Sequence, residues 1–122
     1  MKGFEPNYQE KIGILITNLG TPDNPDPKSL RKYLKQFLSD KRVVDYNRLL
    51  WWLILNGIIL NVRPRKSAKL YEAIWTDEGS PLLVNMRSIL KKLQSKNEGV
   101  HLQLGMRYGN PSIDKALKRF KD

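Results

Sequence analysis

The sequence predicts an α/β fold with parallel strands, part of a doubly wound sheet flanked by helices. Three observations lead there. An Ile-rich apolar run, residues 11–18, ends in Gly20 and Pro22 and reads as a buried strand. A second run, residues 100–108, alternates apolar and polar residues. Helical patterns with proline at the first helical position lie between and after them. The order strand, helices, strand, helix is that of parallel strands joined by crossover helices. Two strands make a poor sheet. The apolar stripes of the helices have too little sheet to cover, so the chain reads as a piece of a larger doubly wound domain.

The elements follow in order. Asp26-Pro27 supplies an N-cap carboxylate and an N1 proline, and Leu30, Tyr33, Leu34, Phe37 and Leu38 then repeat at helical spacing. This helix stops near Ser39-Asp40. Residues 49–62, LLWWLILNGIILNV, are apolar on every side. As a helix they span about 21 Å, short of the ~30 Å hydrocarbon core of a bilayer. A buried helix is expected there, or one whose face meets a membrane or ligand. Residues 67–75 read as a short helix with Leu70, Tyr71 and Ile74 on one side. Ser80-Pro81 opens another, whose core stripe is Leu83, Met86, Leu90 and Leu93. Along residues 100–108, Val100, Leu102, Leu104, Met106 and Tyr108 face one way; His101, Gln103, Gly105 and Arg107 face the other. Asn110-Pro111 is expected to cap a last helix with Ile113, Ala116, Leu117 and Phe120 as its apolar stripe.

Composition narrows the function. The 122 residues make one small domain, and 40% hydrophobic content fits a globular chain. With no cysteine, disulfides and thiolate metal sites are excluded, which suits a reducing cytoplasm. Residues 1–10 are polar and lack the apolar stretch of a signal peptide, so a cytoplasmic location is expected. The net charge of +10 favours an anionic partner or marks a solvated basic surface. Its tightest cluster, Arg63, Arg65 and Lys66, follows the most apolar segment. No base-reading or stacking pattern is present, so nucleic acid is not the expected partner.

Candidate ligand contacts lie beyond the carboxyl ends of the strands, the usual binding place in an open α/β sheet. Here those ends are residues 18–22 and Arg107-Tyr108, which line one crevice if the strands are neighbours. Gly20 allows close backbone approach, to a ligand or within a tight turn. The helix start at Ser80 offers backbone N–H groups and a hydroxyl to a carboxylate, or is a plain N-cap. Arg63 is an anion anchor or a surface arginine. Tyr71 is a core residue or a ligand contact. His101, the only histidine, has no metal-ligand or general-base companion near in sequence and reads as structural or exposed.

Five stretches together carry a family likeness: LITNLGTP at 15–22, YLKQFLSDKRVV at 33–44, residues 48–66 with WW and NGIIL, SAKLYEAIWTDEGSPLL at 67–83, and MRYGNPSI at 106–113. They resemble the ferrochelatase family in the correct order over nearly the whole chain. The resemblance implies an enzyme of heme biosynthesis that inserts ferrous iron into protoporphyrin IX to make protoheme. It implies two similar chelatase-like α/β domains with the porphyrin in a cleft between them. Residues 1–122 would be the amino-terminal part of the first domain, with an apolar cleft lip at about 43–66.

By this likeness Arg63, Tyr71 and Ser80 match porphyrin-contacting positions, and Arg107 and Tyr108 match an active-site arginine and its neighbour. Leu19, with Gly20 and Thr21, follows the first strand and faces the macrocycle. Leucine cannot ligate a metal. The family's catalytic histidine, in a Ser-x-His-Gly-type motif, and its partner glutamate lie downstream of the matched region, and His101 is not that histidine. The chain is therefore expected to hold no catalytic residue and no metal ligand, to bind no cofactor, and to be inactive alone. Iron and protoporphyrin IX are substrates of the whole enzyme. Residues 49–66 are a candidate peripheral membrane contact. The alternatives are a related tetrapyrrole chelatase for another metal or porphyrin, and a basic peripheral-membrane binding module.

Overall fold

The structure, a computed structural model, describes residues 12–121. Lys11, the expected start of the first strand, and the polar residues 1–10 lie outside the described residues. The chain runs β1 (Ile12–Thr21), α1 (Pro27–Leu38), α2 (Arg48–Ile54), a π-helical turn (Leu55–Ile59), α3 (Leu60–Ile74), α4 (Pro81–Lys96), β2 (Val100–Gly109) and α5 (Ile113–Arg119). The two strands pair in parallel, with Ile12 opposite Val100 and Thr21 opposite Gly109. The expected parallel α/β arrangement is present, and the carboxyl ends of both strands come side by side.

Each face of the sheet is covered by a different helix. On one side Met86 of α4 packs with Leu104 and Met106, joined by Ile16, Leu82, Leu83 and Leu90. Three of the four expected α4 core residues are among them; Leu93 is 39% exposed. On the other side α5 approaches β1 and β2 at two glycines. A Cβ on Gly13 would sit 2.8 Å from the Phe120 ring, and one on Gly105 would sit 2.9 Å from Ile113 Cα. The alternation read along residues 100–108 holds: Leu102, Leu104, Met106 and Tyr108 are buried, and His101 and Arg107 are exposed.

Four local expectations are corrected. The first strand is not buried: Ile12 and Ile14 are 55% and 44% exposed, because β2 is the only strand paired with β1 among the described residues. The last helix is capped by Ser112, whose hydroxyl accepts the Lys115 N–H, and not by Asn110-Pro111, which form a turn with a cis bond. The apolar segment 49–62 is not a buried helix. It is a helix and a π-turn that bury Leu55 and Leu60 while Leu49, Trp52, Leu53, Ile58 and Val62 face outward. Finally, the helix expected at 67–75 begins at Leu60, and Leu70 and Ile74 point to solvent. Its inward row is Leu60, Pro64 and Ala68, with Tyr71 half-buried.

Pro64 sits inside α3, where proline normally breaks a helix because it cannot donate to the carbonyl four residues back. That carbonyl belongs to Leu60, and it accepts instead from Arg31 Nη1 of α1 at 3.0 Å. The same guanidinium nitrogen reaches Asn61 Oδ1 at 3.1 Å, and Asn61 Nδ2 donates to Gly57 O in the π-turn at 2.9 Å. One arginine thus supplies what proline removed, and joins α1 to the start of α3.

Candidate functional site

Gly20 and Thr21 end β1 directly beside Tyr108 and Gly109. Gly20 has φ +134, and a Cβ there would lie 2.0 Å from the Tyr108 carbonyl oxygen. What approaches Gly20 closely is the neighbouring strand, so the glycine is required by the sheet itself. Thr21 is buried, and Leu19 is half exposed on the row of β1 that α5 covers further back.

Tyr33 of α1 closes the floor of this end. Its hydroxyl donates to Gly20 O at 3.3 Å, and its ring stacks with Phe37 at 6.1 Å, which in turn meets Tyr108 edge-on at 5.0 Å. Burial, reinforced by repulsion from Tyr71 and Tyr108, pushes the Tyr33 phenol up to about 12. Burial raises Tyr71 as well. Tyr71 also meets Trp75 at 6.3 Å, edge to face. Three tyrosines from α1, α3 and β2 therefore share the carboxyl end of the sheet.

Arg107 and Tyr108 converge on one carboxylate. Asp40 Oδ2 accepts from Arg107 Nη2 at 2.8 Å and from the Tyr108 hydroxyl at 2.5 Å. Its other oxygen accepts the Arg42 N–H at 2.9 Å. The guanidinium also lies 5.0 Å from the centre of the Tyr108 ring, a cation–π distance. The Tyr108 hydrogen bond, then the Arg42 N–H and the nearby guanidinium, hold Asp40 below the usual carboxylate value. The same hydrogen bond raises Tyr108.

Ser80 caps α4: its Oγ accepts the Leu83 N–H at 3.3 Å, and the residue is buried. The cap leaves the Ser80 hydroxyl hydrogen as a possible donor. The turn before it is closed by paired Thr76 and Gly79 backbone bonds, each 3.0 Å. A cleft of about 470 Å³ lies between this turn and the sheet end, lined among others by Pro22, Asp23, Trp75, Gly79, Asn110 and Pro111. Arg63 is not in it. Arg63 stands on the outer side of α3, in a groove of about 450 Å³ with Ile58, Ile59, Val62, Lys66, Ser67 and Leu70.

The structure thus brings Gly20, Thr21, Tyr71, Arg107 and Tyr108 around one end of the sheet. Ser80 is buried as the cap of α4, Leu19 is half exposed near the end of β1, and Arg63 stands on a separate apolar, basic groove. Among the described residues no three His, Cys, Asp or Glu side chains are grouped closely enough to hold a metal ion. Sequence reasoning missed Asp40 and Tyr33, treating them as a helix stop and a core residue. For Asp40 a signal was present. A carboxylate just past a helix C-terminus opposes the helix dipole, so its presence there calls for a cationic or donor partner.

The family model described as Ferrochelatase matches residues 11–122. The ferrochelatase of Thioalkalivibrio sulfidiphilus is 58% identical over 118 residues, covering 93% of this chain and 32% of that protein. The ferrochelatase of Chromobacterium violaceum is 53% identical over 124 residues, covering 98% of this chain and 34% of that protein. The Idiomarina loihiensis ferrochelatase is 46% identical, with 96% and 34% covered. No solved structure matches. The chain spans about a third of the length of these relatives. A family match over residues 11–122, nearly the whole chain, means that the chain belongs to the ferrochelatase family.

Proposed function

We propose that this chain supplies one wall of a porphyrin cleft in an enzyme that inserts ferrous iron into protoporphyrin IX. The observation that carries the reading is the parallel pairing of β1 with β2, which sets Leu19–Thr21 beside Arg107 and Tyr108 in a ferrochelatase-family chain. A porphyrin is a flat apolar disc with two propionates. It needs an apolar rest and cationic or hydroxyl anchors, because a propionate left unpaired in a dry cleft costs several kcal/mol. Leu19 and Tyr71 suit the disc. Arg107 suits one carboxylate, and Arg63 on its apolar groove suits the other end of an amphipathic ligand.

Iron and porphyrin are both substrates here, and the residues of this chain bind and orient rather than accept protons from the macrocycle. His101 is exposed at the amino end of β2, far from the carboxyl ends of the strands, so no imidazole of this chain serves as a base at the site. We infer that metal insertion requires groups outside residues 1–122. The exposed row Leu49, Trp52, Leu53, Ile58 and Val62, flanked by Arg48, Arg63, Arg65 and Lys66, favours a peripheral contact with an acidic membrane surface. A cytoplasmic location with a membrane-facing lip fits that row.

The test is porphyrin binding, followed by fluorescence, in the native full-length protein and in its Arg63→Ala and Arg107→Ala variants. Loss of either anchor should weaken binding about tenfold, the scale of one charge-assisted hydrogen bond. Binding unchanged in both variants would refute the cleft assignment. Zinc or iron insertion by residues 1–122 alone should be absent; robust turnover would refute the requirement for further groups.

A further inference from the structure

We propose that Asp40 is the positioning residue of this site: it fixes the Arg107 guanidinium and the Tyr108 hydroxyl on one carboxylate oxygen and so sets the direction from which Arg107 meets an anionic ligand. The proposal rests on the cleft reading above and names a residue that the reading does not need.

The geometry is unusual for a surface loop. Asp40 lies past the end of α1, yet its side chain is only 12% exposed. Its main chain is tied twice, because its carbonyl accepts from Val43 N at 3.0 Å and Val44 N at 3.1 Å. Its two carboxylate oxygens take three donors in all, from Arg42 N, Arg107 and Tyr108. A short, twice-anchored acid is a rigid pivot, whereas a free arginine has several rotatable bonds and loses about 2 kcal/mol of rotamer entropy on fixing.

Asp40 also cuts the choices open to its partners. The Tyr108 phenol spends its one hydrogen-bond donor on Asp40, so it meets any ligand as an acceptor or through its ring. Arg107 donates one Nη2 hydrogen to Asp40 and keeps the rest of its donor fork for a carboxylate. Lys32 and Lys35 of α1, Gln36 and Ser39 complete the surrounding shallow surface. The charged groups facing Asp40 are thus cationic, and Arg42 lies on its own loop. An acid in this setting orients the arginine instead of cancelling the site, because the net field stays positive.

A double-mutant cycle on porphyrin affinity in the native full-length protein tests this, using Asp40→Asn, Arg107→Ala and the pair. If Asp40 acts through Arg107, Asp40→Asn weakens binding about tenfold in the wild-type background and little in the Arg107→Ala background. Asp40→Glu, with its charge kept and its reach changed, recovers part of the loss. A costly Arg107→Ala with a neutral or additive Asp40→Asn overturns the positioning role alone. A neutral Arg107→Ala overturns the positioning role, and a neutral Arg63→Ala beside it overturns the cleft reading as well. Carbon-13 NMR of labelled tyrosine supplies a readout that needs neither porphyrin nor a folded Asp40 variant. The Tyr108 signal, assigned with Tyr108→Phe, should titrate above the ordinary phenol value of 10.0. Titration at or below that value means that the Asp40 contact is not made, and overturns the proposal.

Discussion

At the scale of single residues, the carboxyl end of the sheet is organised by phenols as much as by charges. Tyr33 is the clearest case. Burial raises its folded-state pKa from 10.0 to about 12. The folded state therefore holds the proton more tightly than the unfolded chain does. The sign follows: this contribution is fully present below pH 10.0 and is lost as pH rises toward about 12. We expect urea-unfolding stability to fall across that window and Tyr33→Phe to flatten the fall, without abolishing it because Tyr71 and Tyr108 are raised too. Near neutrality the same variant should lose about 1 kcal/mol with its bond to Gly20 O. Much of this residue layer was legible in advance. Arg107 and Tyr108 end an alternating strand, and Gly20 precedes a proline turn. What sequence could not show was that Gly20 answers to the Tyr108 carbonyl, or that Asp40 reaches across 67 positions to Arg107. Those are tertiary contacts with no local pattern.

At the scale of elements, the helices that carry N-cap and N1-proline signals were read correctly, and the region lacking them was not. Asp26, Ser80 and Ser112 each cap a helix through a side-chain oxygen. Two of them were visible as Asp-Pro and Ser-Pro pairs; the third was masked by the neighbouring Asn110-Pro111. The stretch from Arg48 to Ile74 has an N-cap in Asn47, whose Oδ1 accepts the Leu50 N–H, but no N1 proline, and Pro64 argues for a break that Arg31 prevents. This makes a specific expectation. Arg31→Ala leaves the Leu60 carbonyl without its donor and should cost about 1 to 2 kcal/mol in denaturant unfolding. Restoring the backbone N–H with Pro64→Ala should make the same Arg31→Ala change nearly neutral. Equal costs in both backgrounds would mean that Arg31 acts only through its contact with Asn61. The outward turn of Leu70 and Ile74 has the same origin. A helical stripe shows which residues share a face, and only the neighbouring elements decide which face is inward.

At the scale of the whole molecule, the chain has more apolar surface than its own elements cover. β1 is exposed along Ile12 and Ile14, and the arm from α2 through the π-turn to the start of α3 presents Trp52, Leu53, Ile58 and Val62 to solvent. No helix among the described residues is long and apolar enough to cross a membrane. The peripheral membrane contact proposed above would be made by this arm lying on the surface. Sedimentation with vesicles containing acidic lipid should therefore retain the protein, with retention lost in high salt and reduced by Trp52→Glu. Equal retention on neutral vesicles would assign the contact to apolar area alone. The arm is fastened at three points. Trp51 Nε1 donates to Leu38 O at 2.7 Å, Arg48 Nη2 donates to Ser39 O at 3.1 Å, and Arg31 holds Leu60. The adjacent tryptophans consequently live in different worlds: Trp51 is half-buried with its indole N–H spoken for, and Trp52 is 59% exposed. Their emission separates two events that other probes would merge. With Trp51 or Trp52 kept in turn as the single tryptophan and the others, Trp75 included, replaced by phenylalanine, a blue shift from Trp52 reports the arm meeting lipid and a change from Trp51 reports the arm coming away from α1, so the pair distinguishes docking from detachment.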